Sequence, residues 1–502
     1  MNRTDLFWPN IVLITIDSLR RDRLGCYGYR KNISPNIDRL SETSFVFLNA
    51  FSSGPNTPHS FMGIMASQHP FSSRELSIRH CQSTLAEILL ENGYWTQGFN
   101  AGNPWVSQYY GYDKGFSELV DFLELQSTND PGFKFVLNKK SGESVEIRRV
   151  PYFKEIPLRG MLRRCLPQVV RRDARRFIQG LRNFFSYMDH IKVKLEIEKP
   201  FTRSLIQWIM RNDKEPFLLW THFMTVHEPY APAMIDQLRV NKKILWKYKV
   251  NRLRRETEHR LQNNTITTSY VNQLSSLYDA EIRRVDRWVG KILRALRRKG
   301  VYDRSCVILC SDHGEEFFEH GGLFHSAKLN DELLRVPLLI HLPGQKLKQV
   351  ASRRVGLIDL LPTIAGYLGI VFDSNSYEGD SFAEMLVGAP VRGEDGRILA
   401  AEAFYDQNEI IIGFNPYDTC CVARRLCLYN GNMKFIADCT QEKLEIYNME
   451  KDPLETNDLS KTHPELKRLA KALIREHLRN NERKRLSMAM RKHPRLNPKL
   501  CL

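Results

Sequence analysis

The 502-residue chain contains no apolar run long enough to cross a membrane and no signal-peptide pattern near its first residue. The apolar run at 11–16 has only the length of a buried strand. Its ten cysteines include no C-x-x-C pair, which argues against a zinc knuckle and against a disulfide framework. We therefore expect a cytoplasmic protein with reduced thiols, for which peripheral membrane association is an alternative.

Acidic residues are fewer than basic ones, 57 against 74, which gives a formal net charge of +17. Part of the excess is local, because residues 159–182 hold eight arginines and one acid. Such a charge favours an anionic partner, such as an anionic ester, a glycan or a lipid headgroup, and makes 159–188 a candidate for membrane contact. A solvated basic face is the alternative. No nucleic-acid-binding motif accompanies the charge, so nucleic acid is not expected as a partner.

Short apolar runs alternate with helical patterns along most of the chain. The runs predict strands at 10–16, 95–99, 217–223, 306–310, 338–341 and 398–401, and the helical patterns lie at 35–43, 84–92, 269–298 and 357–368. This alternation predicts an α/β fold, with a mostly parallel sheet covered by helices on both faces. In such sheets ligands bind beyond the carboxyl ends of the strands, which is where Asp17 and Asp312 stand.

The length of the chain allows one large domain and a smaller one. We expect a catalytic domain at 1–385, a small α+β subdomain at 386–480 and a basic, mobile tail at 481–502. Residues from about 125 to 215 interrupt the alternation of strands and helices and are basic. They predict an insertion at the rim of the site, either a helical lid or basic amphipathic helices that touch a membrane.

Polar clusters follow several of these predicted strands and turns. Asp17 ends the first strand, where a carboxylate can bind a hard cation. Thr57 stands between a Gly-Pro turn and a helical pattern, where free backbone N–H groups favour an anion. Asp312 and His313 end another strand before a glycine, which suits metal ligation. Each cluster alone also fits a structural role: a helix cap, a Thr-Pro helix start or a buried Asp–His pair.

Further histidines and a lysine are the remaining candidates for catalysis. His227 follows the strand at 217–223 and could contact a substrate or protonate a leaving group. His325 and Lys328 lie in the loop that follows His313. Because several such side chains share one loop, the functional interpretation of this region is favoured over the structural one.

Taken together, the clusters resemble the sulfatase family of the alkaline-phosphatase superfamily, and the likeness spans nearly the whole chain. The landmarks are I-D-S-L-R at 16–20, G-C-Y-G at 25–28, S-P-N-I-D-R-L at 34–40, L-E-N-G-Y-W-T at 90–96, S-D-H-G at 311–314, E-H-G at 319–321, D-L-L-P-T at 359–363 and E-I-Y-N-M-E-K-D-P at 445–453. The resemblance implies a sulfatase-like α/β sandwich with a small C-terminal sheet subdomain, and a metal-dependent ester hydrolase or transferase.

The nucleophile position departs from the family pattern. Sulfatases carry a cysteine or serine in a C/S-x-P-x-R signature, and this residue becomes formylglycine. Counting from the flanking motifs, the resemblance places Thr57 there, with Phe61 at the arginine. A register shifted by one residue places Asn56 there instead, and neither residue can yield formylglycine. A threonine nucleophile is typical of phosphoryl-handling relatives: nucleotide pyrophosphatases/phosphodiesterases, phosphoglycerol transferases and phosphoethanolamine transferases.

Carried over residue by residue, the resemblance implies a site for one divalent ion (Mn, Zn, Mg or Ca) made of Asp17, Thr57, Asp312 and His313. His227 matches the substrate-contacting histidine of the family, and either His325 or Lys328 takes the place of its lysine. The function implied is hydrolysis or transfer of phosphate monoesters or diesters through Thr57. The alternatives are a sulfuric ester hydrolase without formylglycine and a non-catalytic protein that binds an anionic glycan or a membrane surface.

Overall fold

A computed structural model describes residues 8–73, 76–122, 132–134, 146–148, 197–240, 247–373, 376–388, 397–405 and 423–492. Most of the predicted insertion at about 125–215 lies outside these residues, as does the whole of the basic segment 159–188. Among the described helices, none is both long enough and apolar enough to cross a membrane.

A nine-stranded mixed sheet forms the centre of the fold. Eight strands lie in one row, in the spatial order Arg335–Val336, Phe45–Phe51, Leu338–His341, Ser305–Ser311, Asn10–Ile16, Phe217–Phe223, Trp95–Asn100 and Glu118–Asp121. The ninth, Gln349–Gly356, pairs in parallel with Phe45–Phe51. The pairs on both sides of Asn10–Ile16 are parallel, whereas Leu338–His341 runs antiparallel to both neighbours. The predicted α/β class with a mostly parallel sheet is therefore confirmed.

Four strands of this sheet were not predicted from the sequence: Phe45–Phe51, Gln349–Gly356, Arg335–Val336 and Glu118–Asp121. Phe45–Phe51 carries a polar Asn49 within its apolar run, and Gln349–Gly356 presents charged side chains along an exposed edge. Gln349–Gly356 and Glu118–Asp121 lie at edges of the sheet, where strands bury fewer side chains and show a weaker hydrophobic pattern. Arg335–Val336 has only two residues, too few to show a pattern. The central strands are buried on both faces, and their continuous apolar runs made them predictable.

Helices cover both faces of the sheet, as the alternating pattern predicts. The helices are Pro35–Ser41, Thr57–Ala66, Leu85–Glu91, Met234–Val240, Lys247–Gln262, Thr268–Lys299, Asp331–Leu334, Leu360–Tyr367, Ala383–Leu386 and Pro464–Lys492. Ile11 and Leu13 belong to the core beneath Thr57–Ala66, whereas Val12 and Ile14 belong to the core beneath Thr268–Lys299. Successive side chains of one strand thus anchor opposite helical layers, which fixes the position of its carboxyl end.

A second, antiparallel sheet follows the central one. Its strands are Leu399–Tyr405, Ala423–Asn430, Met433–Asp438 and Lys443–Asn448, paired in chain order. The helix Pro464–Lys492 continues past residue 480, so it includes residues 481–492, which the sequence analysis had assigned to a mobile tail. Its sequence contains no proline or glycine that would end the helix at 480. The domain boundary at 385/386 stays a prediction.

A buried ion cluster joins the two sheets. Lys434, completely buried, lies 2.7 Å from Asp331 and also pairs with Glu455. The Tyr429 hydroxyl donates to Asp331 at 2.6 Å. Lys434 is the cation that pairs with both acids, and Arg335 adds a smaller favourable charge near Asp331. The short helix that begins at Asp331 is therefore tied to the C-terminal sheet.

Lys434→Met is expected to lower the free energy of unfolding by about 3–5 kcal/mol, because it removes the buried cation that pairs directly with two buried carboxylates. Urea unfolding followed by tryptophan fluorescence measures the loss. Lys451→Met, at an exposed position, is the matched control and should unfold like the parent protein. A loss for Lys434→Met no larger than that of the control would contradict the role given to this cluster.

Candidate active site

Parallel pairing brings two acids together at one edge of the central sheet. Ile16 lies opposite Ser311 in adjacent strands, so the residues that follow them, Asp17 and Asp312, are neighbours. His313 comes next in the chain. One ligand atom from each of these three residues lies within 4.8 Å of the other two, and all three side chains are completely buried. The sequence prediction that Asp17 and Asp312 share one site agrees with this geometry.

The Thr57 hydroxyl lies against this cluster. Thr57 is the first residue of the helix Thr57–Ala66. Its Oγ1 donates to Asp17 Oδ2 at 3.2 Å and lies 3.5 Å from His313 Nε2. The four residues of the predicted metal set therefore meet in one place.

A hydrogen bond fixes the tautomer of the His313 imidazole. Its Nδ1 lies 2.8 Å from the carbonyl oxygen of Gly314, so Nδ1 carries the hydrogen and Nε2 carries the lone pair. Nε2 faces the carboxylates of Asp17 and Asp312, at 3.5 and 3.6 Å. Burial lowers the pKa of His313 to about 3, so the ring is neutral at physiological pH. This is the form that binds a metal ion.

The two buried carboxylates have unequal environments. Burial, and then the neighbouring charge of Asp17, raise the pKa of Asp312 to about 7. Burial opposes ionisation of Asp17 as well, but the charge of His227 and a hydrogen bond with His222 outweigh it and hold the pKa of Asp17 well below its ordinary value. Asp312 Oδ1 accepts hydrogen bonds from two backbone N–H groups, whereas Oδ2 is buried without a partner among the described residues.

This arrangement fits a divalent cation. Two buried carboxylates side by side, one with an oxygen that accepts no hydrogen bond, cost folding free energy unless a positive charge compensates them. The donor set consists of oxygens from Asp17, Thr57 and Asp312 and one nitrogen from His313, which suits Mn²⁺, Mg²⁺, Ca²⁺ or Zn²⁺.

Two further histidines border the cluster. The His325 ring centre lies 4.6 Å from that of His313 and 4.8 Å from that of His227. Burial opposes protonation of His325, but the Glu315 carboxylate, 3.0 Å from Nδ1, outweighs it and raises the pKa of His325 to about 9. Tyr230 in turn donates to Glu315 at 2.6 Å. His325 is therefore a fixed cation beside the site at neutral pH.

Lys328 binds Glu316 and not a residue of the metal cluster. Its Nζ lies 3.0 Å from both oxygens of Glu316 and 2.7 Å from the carbonyl oxygen of His320. Within the described residues, none of its hydrogen bonds or ion pairs reaches Asp17, Thr57 or the ligands that follow Ser311. Of the two residues that the sequence left as alternatives, His325 is the one that lies against the cluster.

Ser60, one turn after Thr57, has its hydroxyl in the turn rather than at the cluster. Its Oγ lies 2.9 Å from the carbonyl oxygens of Gly54 and Asn56, and 2.8 Å from the Ser52 hydroxyl. These contacts close the turn that precedes the helix. Ser60 thus has a structural role, and of the hydroxyls of Thr57 and Ser60 it is that of Thr57 that contacts Asp17.

Two residues at the site were missed in the sequence analysis. Asn103 Nδ2 lies 2.9 Å from Asp17 Oδ2, and His222 Nε2 lies 3.4 Å from the same oxygen. His222 stands one residue before the end of the strand Phe217–Phe223, so a polar residue at the end of an apolar strand was an available signal. Asn103 lies in the loop after the neighbouring strand Trp95–Asn100, and its residue type alone carried no signal.

A family model described as Sulfatase matches residues 9–370, which is most of the chain and includes every residue of the cluster. The chain belongs to the sulfatase family. Members of this family are metal-dependent hydrolases of the alkaline-phosphatase superfamily, so this sulfatase-family chain is a hydrolase of that superfamily. The resemblance inferred from the sequence motifs is confirmed.

Several relatives share the full length of this sulfatase-family chain. An arylsulfatase of Clostridium perfringens is 22% identical over 93% of this chain and 94% of its own. An N-acetylglucosamine-6-O-sulfatase of Bacteroides thetaiotaomicron is 23% identical over 90% of this chain and 82% of its own. The crystal structure of a phosphonate monoester hydrolase of Agrobacterium radiobacter superposes with a TM-score of 0.64 at 16% identity, over 94% of this chain and 95% of that one. At 16% identity, the likeness to the phosphonate monoester hydrolase shows only a shared fold.

In the register that places Thr57 at the nucleophile, Phe61 stands where the sulfatase signature has an arginine. Its ring is completely buried, with centroids 4.8 Å from His222 and 5.9 Å from both Trp220 and Tyr112. An apolar ring cannot hold an anion, and here it packs behind His222 instead. This sulfatase-family site therefore lacks both residues, the cysteine or serine and the arginine, that define the signature.

Proposed function

We propose that this sulfatase-family chain cleaves or transfers phosphate monoesters or diesters, with unmodified Thr57 as the nucleophile. The observation that carries the proposal is the position of Thr57 Oγ1, 3.2 Å from Asp17 Oδ2 and 3.5 Å from His313 Nε2. A threonine cannot become formylglycine, and yet its hydroxyl lies within the set of potential metal ligands. Loss of metal ligands is expected in a non-catalytic relative, and here all four are present.

The metal set would be Asp17, Thr57, Asp312 and His313. When bound there, a divalent cation supplies positive charge that lowers the pKa of a nearby hydroxyl and withdraws electrons from an ester oxygen. The neutral His313 ring already presents a lone pair to such a cation, whereas Asp312, whose pKa is raised to about 7, would bind it after losing its proton.

Protein residues account for the remaining parts of the reaction. The Thr57 proton leaves before attack, and Asp17 Oδ2 is its nearest acceptor. The Thr57 oxygen then forms a bond to phosphorus while the bond to the leaving oxygen breaks, and that oxygen takes a proton from His227. Cationic His325 stabilises the equatorial oxygens, where charge is greatest. Water or an acceptor alcohol next attacks the phosphothreonine and frees Thr57.

Charge favours phosphate over sulfate as the group transferred. A phosphate monoester carries more negative charge than a sulfate ester, so it gains more from the fixed cation at His325. Sulfate ester hydrolysis is the second candidate, because the two curated relatives described above are named as sulfatases. Formylglycine, which those reactions use in the family, has no counterpart at Thr57.

A substrate panel tests this proposal. Protein loaded with Mn²⁺ is assayed with 4-nitrophenyl phosphate, bis(4-nitrophenyl) phosphate, a 4-nitrophenyl phosphonate ester and 4-nitrophenyl sulfate, which share one leaving group. We expect kcat/KM for at least one phosphorus ester to exceed that for the sulfate by about 100-fold or more, which corresponds to about 2.7 kcal/mol. Faster turnover of the sulfate than of every phosphorus ester would overturn the proposal in favour of sulfatase activity.

A further inference from the structure

We infer that Asn103 is a positioning residue that aligns the Asp17 carboxylate with the Thr57 hydroxyl. The inference rests on the proposed function only in taking Thr57 as the nucleophile. Asn103 belongs to none of the sequence motifs described above. Its side chain is buried between two of the four potential metal ligands.

Backbone contacts fix the orientation of the Asn103 amide. Its Oδ1 accepts a hydrogen bond from the Trp105 backbone N–H at 3.0 Å, so Oδ1 faces the loop and Nδ2 faces the cluster. The Asn103 backbone N–H donates to Asn100 Oδ1 at 2.9 Å, and Asn100 Nδ2 donates back to the Asn103 carbonyl at 2.8 Å. This reciprocal pair holds the loop to the end of the strand Trp95–Asn100, which makes the donor rigid.

Three site atoms surround Asn103 Nδ2. Asp17 Oδ2 lies at 2.9 Å, His222 Nε2 at 3.2 Å and Thr57 Oγ1 at 3.4 Å. An amide nitrogen carries two hydrogens, so one serves Asp17 and the other faces Thr57. When Thr57 loses its proton, the oxygen gains charge and becomes the stronger acceptor. The second hydrogen then stabilises the form that attacks.

Hydrogen bonds and packing also hold His222 beside this amide. Its Nδ1 lies 3.0 Å from Thr15 Oγ1, and Trp220 Nε1 donates to the same Thr15 oxygen. The Phe61 ring packs edge-on against His222. Nε2 of His222 lies 3.4 Å from Asp17 Oδ2, the oxygen that Asn103 also binds.

Two substitutions of Asn103 test whether it positions the site residues or only stabilises the fold. Asn103→Ala removes the shortest hydrogen bond to Asp17 Oδ2, so this oxygen is held less firmly, although Ser18 still binds Oδ1. Isothermal titration of the metal-free protein with Mn²⁺ is expected to show affinity about 10–100-fold weaker than in the parent protein, as for other residues that orient metal ligands. Asn103→Asp keeps the shape but replaces the donor by a carboxylate. We expect its Mn²⁺ affinity to stay within about tenfold of the parent value, because added negative charge compensates the lost alignment.

In Asn103→Asp, kcat is expected to fall much more than the Mn²⁺ affinity does. Asn103→Asp should lower kcat by about 10²–10³-fold with little change in KM, since a carboxylate disfavours the deprotonated Thr57 oxygen. Asn263→Asp, an exposed helix-end asparagine, is the matched control and should match the parent in both measurements. Thermal unfolding of each variant verifies that it is folded.

The outcomes distinguish this inference from the proposed function. If the parent protein turns over none of the panel esters, the proposed function fails, whereas the Mn²⁺ titrations still decide the role of Asn103. Unchanged Mn²⁺ affinity in Asn103→Ala would overturn the inference. So would a kcat for Asn103→Asp equal to that of the parent. If Asn103→Ala does not fold, the kcat of Asn103→Asp alone decides whether Asn103 is a positioning residue.

Discussion

Thr57→Ala is expected to abolish turnover of the best phosphorus ester, with a loss in kcat of about 10⁴-fold or more. The substitution removes the attacking oxygen and one metal ligand together, because Thr57 Oγ1 lies against both Asp17 and His313. Thr57→Ser retains a hydroxyl at the same helix start and should keep measurable activity. Steady-state assays of the Mn²⁺-loaded proteins give both values.

Ser60→Ala is the matched control for this experiment. Ser60 lies in the same helix, and its hydroxyl binds the turn formed by Ser52, Gly54 and Asn56. Its loss should lower the unfolding temperature slightly and leave kcat close to that of the parent. Near-normal turnover in Thr57→Ala, or a larger loss in Ser60→Ala, would show that the nucleophile has been assigned to the wrong residue.

Asp312→Asn should eliminate both tight Mn²⁺ binding and activity, while leaving the metal-free protein at least as stable as the parent at pH 8. Asp312 Oδ2 is buried without a hydrogen-bond partner among the described residues, and its charge lies beside that of Asp17. Removing this charge relieves a repulsion that only a cation would otherwise compensate. Isothermal titration measures metal affinity, and thermal unfolding in chelator measures stability.

The pH dependence of stability gives an independent check on Asp312. Burial and the charge of Asp17 raise the pKa of Asp312 from 3.8 to about 7, so the folded, metal-free protein holds this proton longer than the unfolded chain. The contribution of Asp312 to stability therefore falls as pH rises between these two values. Asp312→Asn should lack this part of the pH dependence. A variant that is less stable than the parent in chelator at pH 8 would contradict this account of the site.

The sequence was sufficient to predict the centre of the fold and most of the site. Asn10–Ile16 and Ser305–Ser311 are continuous apolar runs that end in acids, and parallel neighbours must bring their carboxyl ends together. Asp17 and Asp312 could therefore be assigned to one site before any coordinates were known. Thr57 required the family register, since a Thr-Pro pair at a helix start is common.

Other parts of the site depend on side-chain direction, which chain spacing does not determine. His325 and Lys328 are three residues apart in one loop, but Glu315 holds the first beside His313, and Glu316 holds the second away from it. Asn103 was missed because its role comes from a loop conformation fixed by backbone hydrogen bonds. Such contacts leave no periodic pattern in a sequence.

The most direct test of the central claim is mass spectrometry of the protein quenched during turnover of a slow phosphorus ester. Before substrate is added, the intact mass should equal that of the unmodified sequence, with no formylglycine. After quenching, one phosphoryl group is expected on the peptide that contains Thr57, and it should be absent from Thr57→Ala. Phosphoryl transfer to Ser60 or to another residue, or turnover without any adduct under conditions that trap one in a phosphothreonine standard, would contradict the mechanism.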